Sequence, residues 1–371
     1  MPKRIYFDSV SSTPLNEEIL ANYKSLLDQH YANSDALYDE GVASFKMQEA
    51  SRHKCAELLG VDAAEIIFTS GASEANNLAI KGLAFKHGKG HIITSYYEHS
   101  SVYEALKQLE LLGYELTYLM PDKEGKISVD SVKENIKEDT FLVSIMWVNN
   151  EIGTINDVEG IGLMLKQYRN IAFHCDITQG ITKLDIDLTN IDLASFSAHK
   201  LHGLKGSGAL IKKKHISLLP LISGGQQEFG LRGGTSNALV NALLAKTLRL
   251  AMADKEGKYQ YVTGLHDYFL SLIDFNLVKL YSPADHLPYL VCLGTPLTSE
   301  VMLNALNLRG IMVSSKSTCG SRKAEVSRSI KALGYDDDYS LRISFDCANT
   351  REEVAYLWQC MKESIEAYGR I

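Results

Sequence analysis

A chain of 371 residues, 45% of them hydrophobic and 22% charged, can bury a core large enough for two domains or lobes. Its formal net charge of -7 suits a soluble surface and carries no mark of a direct nucleic-acid binder. The start, MPKRIYFDS, is too poor in apolar residues for a signal peptide, and no run approaches membrane-spanning length. The six cysteines, Cys55, Cys175, Cys292, Cys319, Cys347 and Cys360, include no C-x-x-C pair. No disulfide framework, structural zinc site or membrane partner is therefore expected, and a reducing cytoplasm is the default compartment.

In chain order, RIYFDS comes first, isolated in sequence from the other strand-like runs and able to join either lobe. From about residue 66 to 214 the predicted strands are EIIFTS, HIITS, LTYLM, FLVSIMWV, IAFHCD, DLASFS and GALIKKK. Between them, SSVYEALKQLELLG and SVKENIKE repeat apolar residues at helical spacing, with Gly113 a stop for the first. That alternation predicts an α/β fold whose large domain holds a mostly parallel sheet covered on both faces. From RGGTSNALVNALLAK to about FLSLID the pattern reads as one long helical run. PYLVCLG, GIMVSS and SLRISF then alternate with SEVMLNALNLRG and REEVAYLWQCMKESIEAY, which predicts a smaller α+β domain. The resulting division is 15–255 for the large domain and 1–14 with 256–371 for the small one.

Ligands of open parallel sheets gather at the carboxyl ends of the strands. The residues that follow the predicted strands are GASEANN, then YYEHSS with His99, and NNEIG with Asn149 and Asn150. Asp176 with Gln179 three residues on, and His199 with Lys200, complete the series. GASEANN could be an ordinary helix start, Asp176 a turn cap, and Lys200 a solvated strand end. GLKGSGAL lacks the spacing of a phosphate loop. Taken jointly, they suggest an anion site at a helix N-terminus helped by Ser73, a carboxylate deep in the sheet, and a lysine able to condense with an aldehyde. Pyridoxal phosphate needs those three fixtures. An ammonium beside another cation deprotonates more readily, which suits Lys200 to act as a base.

The motifs TSGASEANN, EHSSV, VNNEIG, HCDITQ, SAHKLHGLKGSGAL, RGGT and SSKSTC, in this order and over nearly the whole chain, resemble those of cysteine desulfurases of the NifS/IscS type. These are class V aminotransferase-fold enzymes, and the resemblance implies the pyridoxal-phosphate-dependent transferase fold type I. It further implies Lys200 as the lysine joined to the cofactor, Asp176 at the pyridine nitrogen, Gln179 at the phenolic oxygen, and His99 stacked on the ring and moving protons. Ala72, Ser73, Ser197 and His199 would hold the phosphate, and Thr235 would reach the phosphate of the other subunit of a homodimer. Asn150, in the cofactor site, and Arg342 would fix the carboxylate of L-cysteine, since a guanidinium meets a carboxylate through two parallel bonds.

Cys319 lies in VSSKSTCGSRKAEVSRS, a polar and basic stretch in which Lys316, Arg322 and Lys323 would favour a thiolate if close in space. By the resemblance it is the catalytic cysteine that takes the sulfur as a persulfide and passes it to an acceptor protein, leaving alanine. Iron–sulfur cluster assembly, tRNA thiolation and cofactor synthesis all remain open as destinations. Several positions depart from the family pattern: Ser34, Tyr38, Leu204, Gln226, Phe229 and Gly233. They lie around substrate entry and the dimer seam, so selenocysteine or another β-substituted amino acid stays open as substrate. The alternatives are a related lyase or transferase in which Cys319 is not essential, a nucleotide-binding α/β module, and a non-catalytic sulfur-assembly partner.

Overall fold

The computed structural model describes residues 4–185, 187–315, 326–335 and 339–369. Strand β1 (Ile5–Tyr6) opens the chain. It is followed by β2 (Ile66–Thr69), β3 (His91–Ser95), β4 (Glu115–Leu119), β5 (Thr140–Ser144), β6 (Ala172–Asp176), β7 (Leu193–Ser197) and β8 (Gly208–Lys212). Among the described residues, β2 to β8 form one seven-stranded sheet in the order β2-β8-β7-β6-β5-β3-β4. Every residue of β3, β5, β6 and β7 is buried, because helices cover both faces of the sheet.

The sheet is parallel from β4 through β3, β5 and β6 to β7, as the alternating pattern predicts. β8 runs antiparallel to both of its neighbours, β2 and β7. The reason is local: β7 and β8 are joined by a short turn segment with no crossover helix, and a parallel return needs a longer connection. FLVSIMWV leaves the ladder at Ser144. The chain nevertheless stays beside β6, with the N–H groups of Ile145 and Trp147 donating to the carbonyls of His174 and Asp176.

Helices α1 (Glu17–Gln29) and α2 (Asp39–Leu59) precede the sheet, and α3 (Ala72–His87) and α4 (Ser100–Leu111) pack together on it. α5 (Val129–Glu134) and α6 (Val158–Leu165) follow. The single helical run expected after RGGT is two helices, α7 (Ala238–Met252) and α8 (Lys255–Leu272), broken where Asp254 takes φ 51°. Beyond it, β9 (Lys279–Leu280), β10 (Leu290–Gly294) and β12 (Ser340–Ser344) form an antiparallel sheet in the order β12-β10-β9. Strand β11 (Ile311–Met312) pairs in parallel with β1. Helices α9 (Ser299–Leu308), α10 (Arg328–Ala332) and α11 (Arg351–Tyr368) complete this part. Asp8 bridges to Ser344, so the N-terminal segment runs from β11 past β12 before reaching Val10 and Ser11.

Candidate active site

A cleft of about 150 Å³ opens where β6 and β7 end. Ala72, Ser73, His99, Asn150, Asp176, Gln179, Ser197, His199, Lys200 and Arg342 all line it. Thr235 is exposed and stands outside the cleft of its own chain. Cys319, with Lys316, Arg322 and Lys323, lies outside the described residues.

One end of the cleft is the N-terminus of α3. The chain turns into the helix at Gly71, whose φ of 145° suits glycine. A side chain there would also meet Ser197 Oγ at 3.1 Å. Ser197 Oγ accepts from the Ala72 N–H at 2.6 Å, tying the helix start to the end of β7. First-turn N–H groups have no partner within a helix, so this corner favours an anion. His199 stands beside it with its Nδ1 3.3 Å from Ser12 Oγ. Burial and the ammonium groups of Lys200 and Lys205 push the His199 imidazole down to about 4, so it meets a ligand as a neutral ring.

Asp176 is the last residue of β6 and is only 6% exposed. Its Oδ2 accepts from Asn76 Nδ2 at 2.8 Å and its Oδ1 from the Thr178 N–H at 3.0 Å. Asn76 is oriented in turn by Ser101 Oγ at 2.9 Å and by His174 Nε2, 3.2 Å from Asn76 Oδ1. This amide is what fixes the carboxylate plane. Gln179 spends one amide hydrogen on the Val10 carbonyl at 3.1 Å, and its Oε1 lies 3.4 Å from Lys183 Nζ. An amide NH₂ has two hydrogens, so among the described residues one donor is left over.

His99 is the N-cap of α4. Its Nδ1 accepts from the Ser101 N–H at 3.2 Å, which places the proton of the neutral ring on Nε2. Burial, with Lys200 adding to it, pushes His99 down to about 4. Its neighbour Glu98 is 2% exposed and its Oε1 accepts from Ser95 Oγ at 2.5 Å and the Met146 N–H at 2.9 Å. Glu98 Oε2 has no hydrogen-bond partner among the described residues. Burial pushes this acid up to about 8, so it is largely protonated at neutral pH.

Arg342, on β12, is 1% exposed. Nη1 donates to the Asn150 carbonyl at 2.8 Å, and Nη2 pairs with Asp8 Oδ1 at 3.0 Å and Ser314 Oγ at 2.7 Å, with Ser11 Oγ also bonded. These contacts come from three separate chain segments and lock the guanidinium plane. The two asparagines after β5 divide their work. Asn149 is fully buried and its Oδ1 caps the N–H groups of Glu151 and Ile152, at 2.9 and 3.0 Å. Asn150 is the one that lines the cleft.

Lys200 ends the short helical turn Ala198–Lys200 between β7 and β8. The turn is pinned to the N-terminal segment: the Thr13 N–H donates to the His199 carbonyl at 2.9 Å, and the Asn16 N–H to the His202 carbonyl at 3.0 Å. A lysine at the end of a buried strand is thus held at the cleft floor by a segment nearly 190 residues away in sequence. The supporting residues Asn76, Glu98, Asp8 and Thr178 did not stand out in the sequence. Asn76 lies inside GASEANN among other small and polar residues, and Glu98 directly precedes His99.

The aminotransferase class-V family model matches residues 5–357. The chain is 37% identical over 380 residues to a NifS/IcsS protein homolog of Lactobacillus delbrueckii subsp. bulgaricus, covering 99% of this chain and 98% of that protein. It is 35% identical over 378 residues to cysteine desulfurase IscS of Dictyoglomus turgidum, with 99% and 95% covered. Among solved structures, a NifS-like protein superposes with a TM-score of 0.92 at 31% identity, covering 98% of this chain and all of that one. SspA in complex with cysteine superposes with a TM-score of 0.81 at 34% identity, covering 94% and 100%.

Proposed function

The chain belongs to the class-V aminotransferase family, and from that premise we propose that it is a pyridoxal-phosphate-dependent cysteine desulfurase acting on L-cysteine. The observation that carries the reading is one cleft holding a helix N-terminus, a buried carboxylate, a neutral histidine, an amine and a locked guanidinium. That donor set fits the cofactor group by group. A phosphate suits the α3 N-terminus with Ser73, Ser197 and His199. A protonated pyridine nitrogen suits Asp176, which Asn76 and Thr178 hold in place. A phenolic oxygen suits the remaining Gln179 donor, and an aldehyde suits Lys200. When bound, pyridoxal phosphate supplies an electron sink that makes the substrate's α-proton acidic and weakens its Cβ–S bond.

The chain's own groups supply the rest. Arg342 and Asn150 orient the substrate carboxylate, with Asp8 and Ser314 keeping the fork in plane. Lys200 takes the α-proton and returns it. His99, uncharged with its proton on Nε2, would lie against the cofactor ring and relay protons. Cys319 attacks the substrate sulfur as a thiolate, the Cβ–S bond breaks, and Cys319 keeps the sulfur as a persulfide while the carbon skeleton leaves as alanine. An acceptor protein then takes the sulfur.

The reading also includes a homodimer in which the exposed Thr235 serves the partner's phosphate site, and a cytoplasmic location. No helix among the described residues is long and apolar enough to cross a membrane. The division into 15–255 and 1–14 with 256–371 belongs to it too, supported by the pairing of β1 with β11. The test is an amino-acid panel scored for alanine and sulfide, with and without a reductant that discharges persulfide. Cysteine should be turned over in preference to the rest. Cys319→Ser should keep the visible cofactor band and lose sulfide release; desulfuration at the normal rate would remove Cys319 from the mechanism.

A further inference from the structure

His202 lies two residues after Lys200 and adopts φ 61°, in the left-handed region that non-glycine residues seldom occupy. Its side chain is held on both sides. Nδ1 lies 3.0 Å from the Pro14 carbonyl oxygen, and Nε2 lies 3.0 Å from Asp346 Oδ2. A carbonyl and a carboxylate can only accept, so both ring nitrogens are satisfied only when both carry protons. The backbone is held as well: the His202 N–H donates to Thr13 Oγ1 at 2.7 Å, and its carbonyl accepts from the Asn16 N–H at 3.0 Å. Strain of this kind persists where the surroundings over-determine the conformation, and it accumulates at functional sites.

Asp346 follows β12 by two residues and stands four after Arg342. The loop that carries it is rigid, with Asp346 Oδ1 accepting from the Ala348 N–H at 3.1 Å and the Asp346 N–H donating to Asn349 Oδ1 at 2.9 Å. The two ends of the His202–Asp346 contact therefore sit two residues from the amine and four from the guanidinium of the cleft. We propose that His202 is a positioning residue: its contact with Asp346 holds the Lys200 turn and the Arg342 strand in one register. This inference rests on the desulfurase reading for the roles of Lys200 and Arg342, and on the geometry alone for the contact.

The charge environment sets the direction of its pH dependence. Burial lowers the pKa of His202 and Lys183 adds to that, but the hydrogen bond and charge of Asp346, with the Pro14 carbonyl, outweigh them. Lys258 lines the adjoining cavity. Facing Asp346 are His202 and Lys183, which hold the carboxyl below its ordinary range, and Tyr6, Tyr289 and the adjacent Cys347, each raised in part by it. The net pKa of His202 is raised above 6.5. The contact is thus fully present below pH 6.5 and is lost as pH climbs through the raised value.

The test uses His202→Asn, whose short amide tolerates a left-handed backbone, with Asp346→Asn and the double variant. In the cofactor-free protein, NMR titration of the His202 ring should give a midpoint above 6.5, and Asp346→Asn should lower it. In the cofactor-loaded enzyme each single variant should lose about tenfold or more in kcat/KM at pH 7 while binding the cofactor in full. The double variant should be within about twofold of the worse single one, and the wild-type alkaline decline should flatten in all three. A ring that titrates at or below 6.5, or single variants with wild-type kcat, KM and pH profile, overturns the proposal. Should His202→Asn not fold, Asp346→Asn decides by the same readouts. Absence of cofactor binding and of alanine release in the wild type would sink the desulfurase reading, while the ring titration would still judge the contact.

Discussion

Glu98 puts a measurable burden on the fold. Its carboxyl is 2% exposed, and one oxygen lacks a hydrogen-bond partner among the described residues. Burial moves its pKa from 4.5 to about 8, against the pull of Ser95, the Met146 N–H and Arg328. The folded chain therefore binds this proton more tightly than the unfolded chain. Its contribution to stability is intact below pH 4.5, declines as pH rises from 4.5 to 8, and levels off above 8. At 1.36 kcal/mol per pKa unit the loss is roughly 1 kcal/mol at pH 5, about 3 at pH 7 and about 5 at pH 9. Glu98→Gln keeps an oxygen for Ser95 and Met146 and puts a neutral NH₂ where the unpartnered oxygen stood. Denaturant unfolding of both proteins at pH 5, 7 and 9, at one protein concentration, should show the variant gaining about 4 kcal/mol on the wild type between pH 5 and pH 9. Curves that stay parallel within about 1 kcal/mol would refute the assignment of a buried, protonated acid.

Two further substitutions test the cleft itself. Arg342→Lys keeps the charge and loses the planar fork that engages Asn150, Asp8 and Ser314, so the KM for cysteine should rise about 10- to 100-fold in steady-state assays. An unchanged KM would separate Arg342 from the substrate carboxylate. Asn76→Ala removes the 2.8 Å donor to Asp176, and a lost bond to a charged group is worth roughly 1.5–3 kcal/mol. Cofactor affinity, followed by absorbance titration, should weaken about 10- to 100-fold; wild-type affinity would mean that Asn76 does not hold the carboxylate in its working orientation.

The strands of the large sheet were legible because a doubly covered sheet needs apolar runs several residues long, and HIITS, IAFHC and DLASFS are such runs. The polar residues that interrupt or end those runs were legible as a set for the same reason: Asp176 and Lys200 are costly to place at a buried strand end unless a ligand or partner meets them. Residue type alone does not separate Asn149 from Asn150, since adjacent identical side chains differ only in which way the turn faces them; the family resemblance singles out Asn150, which lines the cleft. The pattern after RGGT reads as a single helical run because its apolar spacing continues across Asp254, where one left-handed residue breaks it into two helices.

Local patterning along the chain thus settled the order of the elements, the sheet type over most of its width and the residues able to carry chemistry, because these follow from neighbours within a few positions. Tertiary structure alone decided that β1 joins β11, and that Asp8 meets Arg342, Asn76 meets Asp176, and His202 meets Asp346. Those contacts span from 100 to more than 300 residues, and the buried groups among them, Arg342 and Asp176, meet their partners only as the core closes. Burial fixes the energy of such a pair, and a chain read end to end carries no record of which distant group will share it.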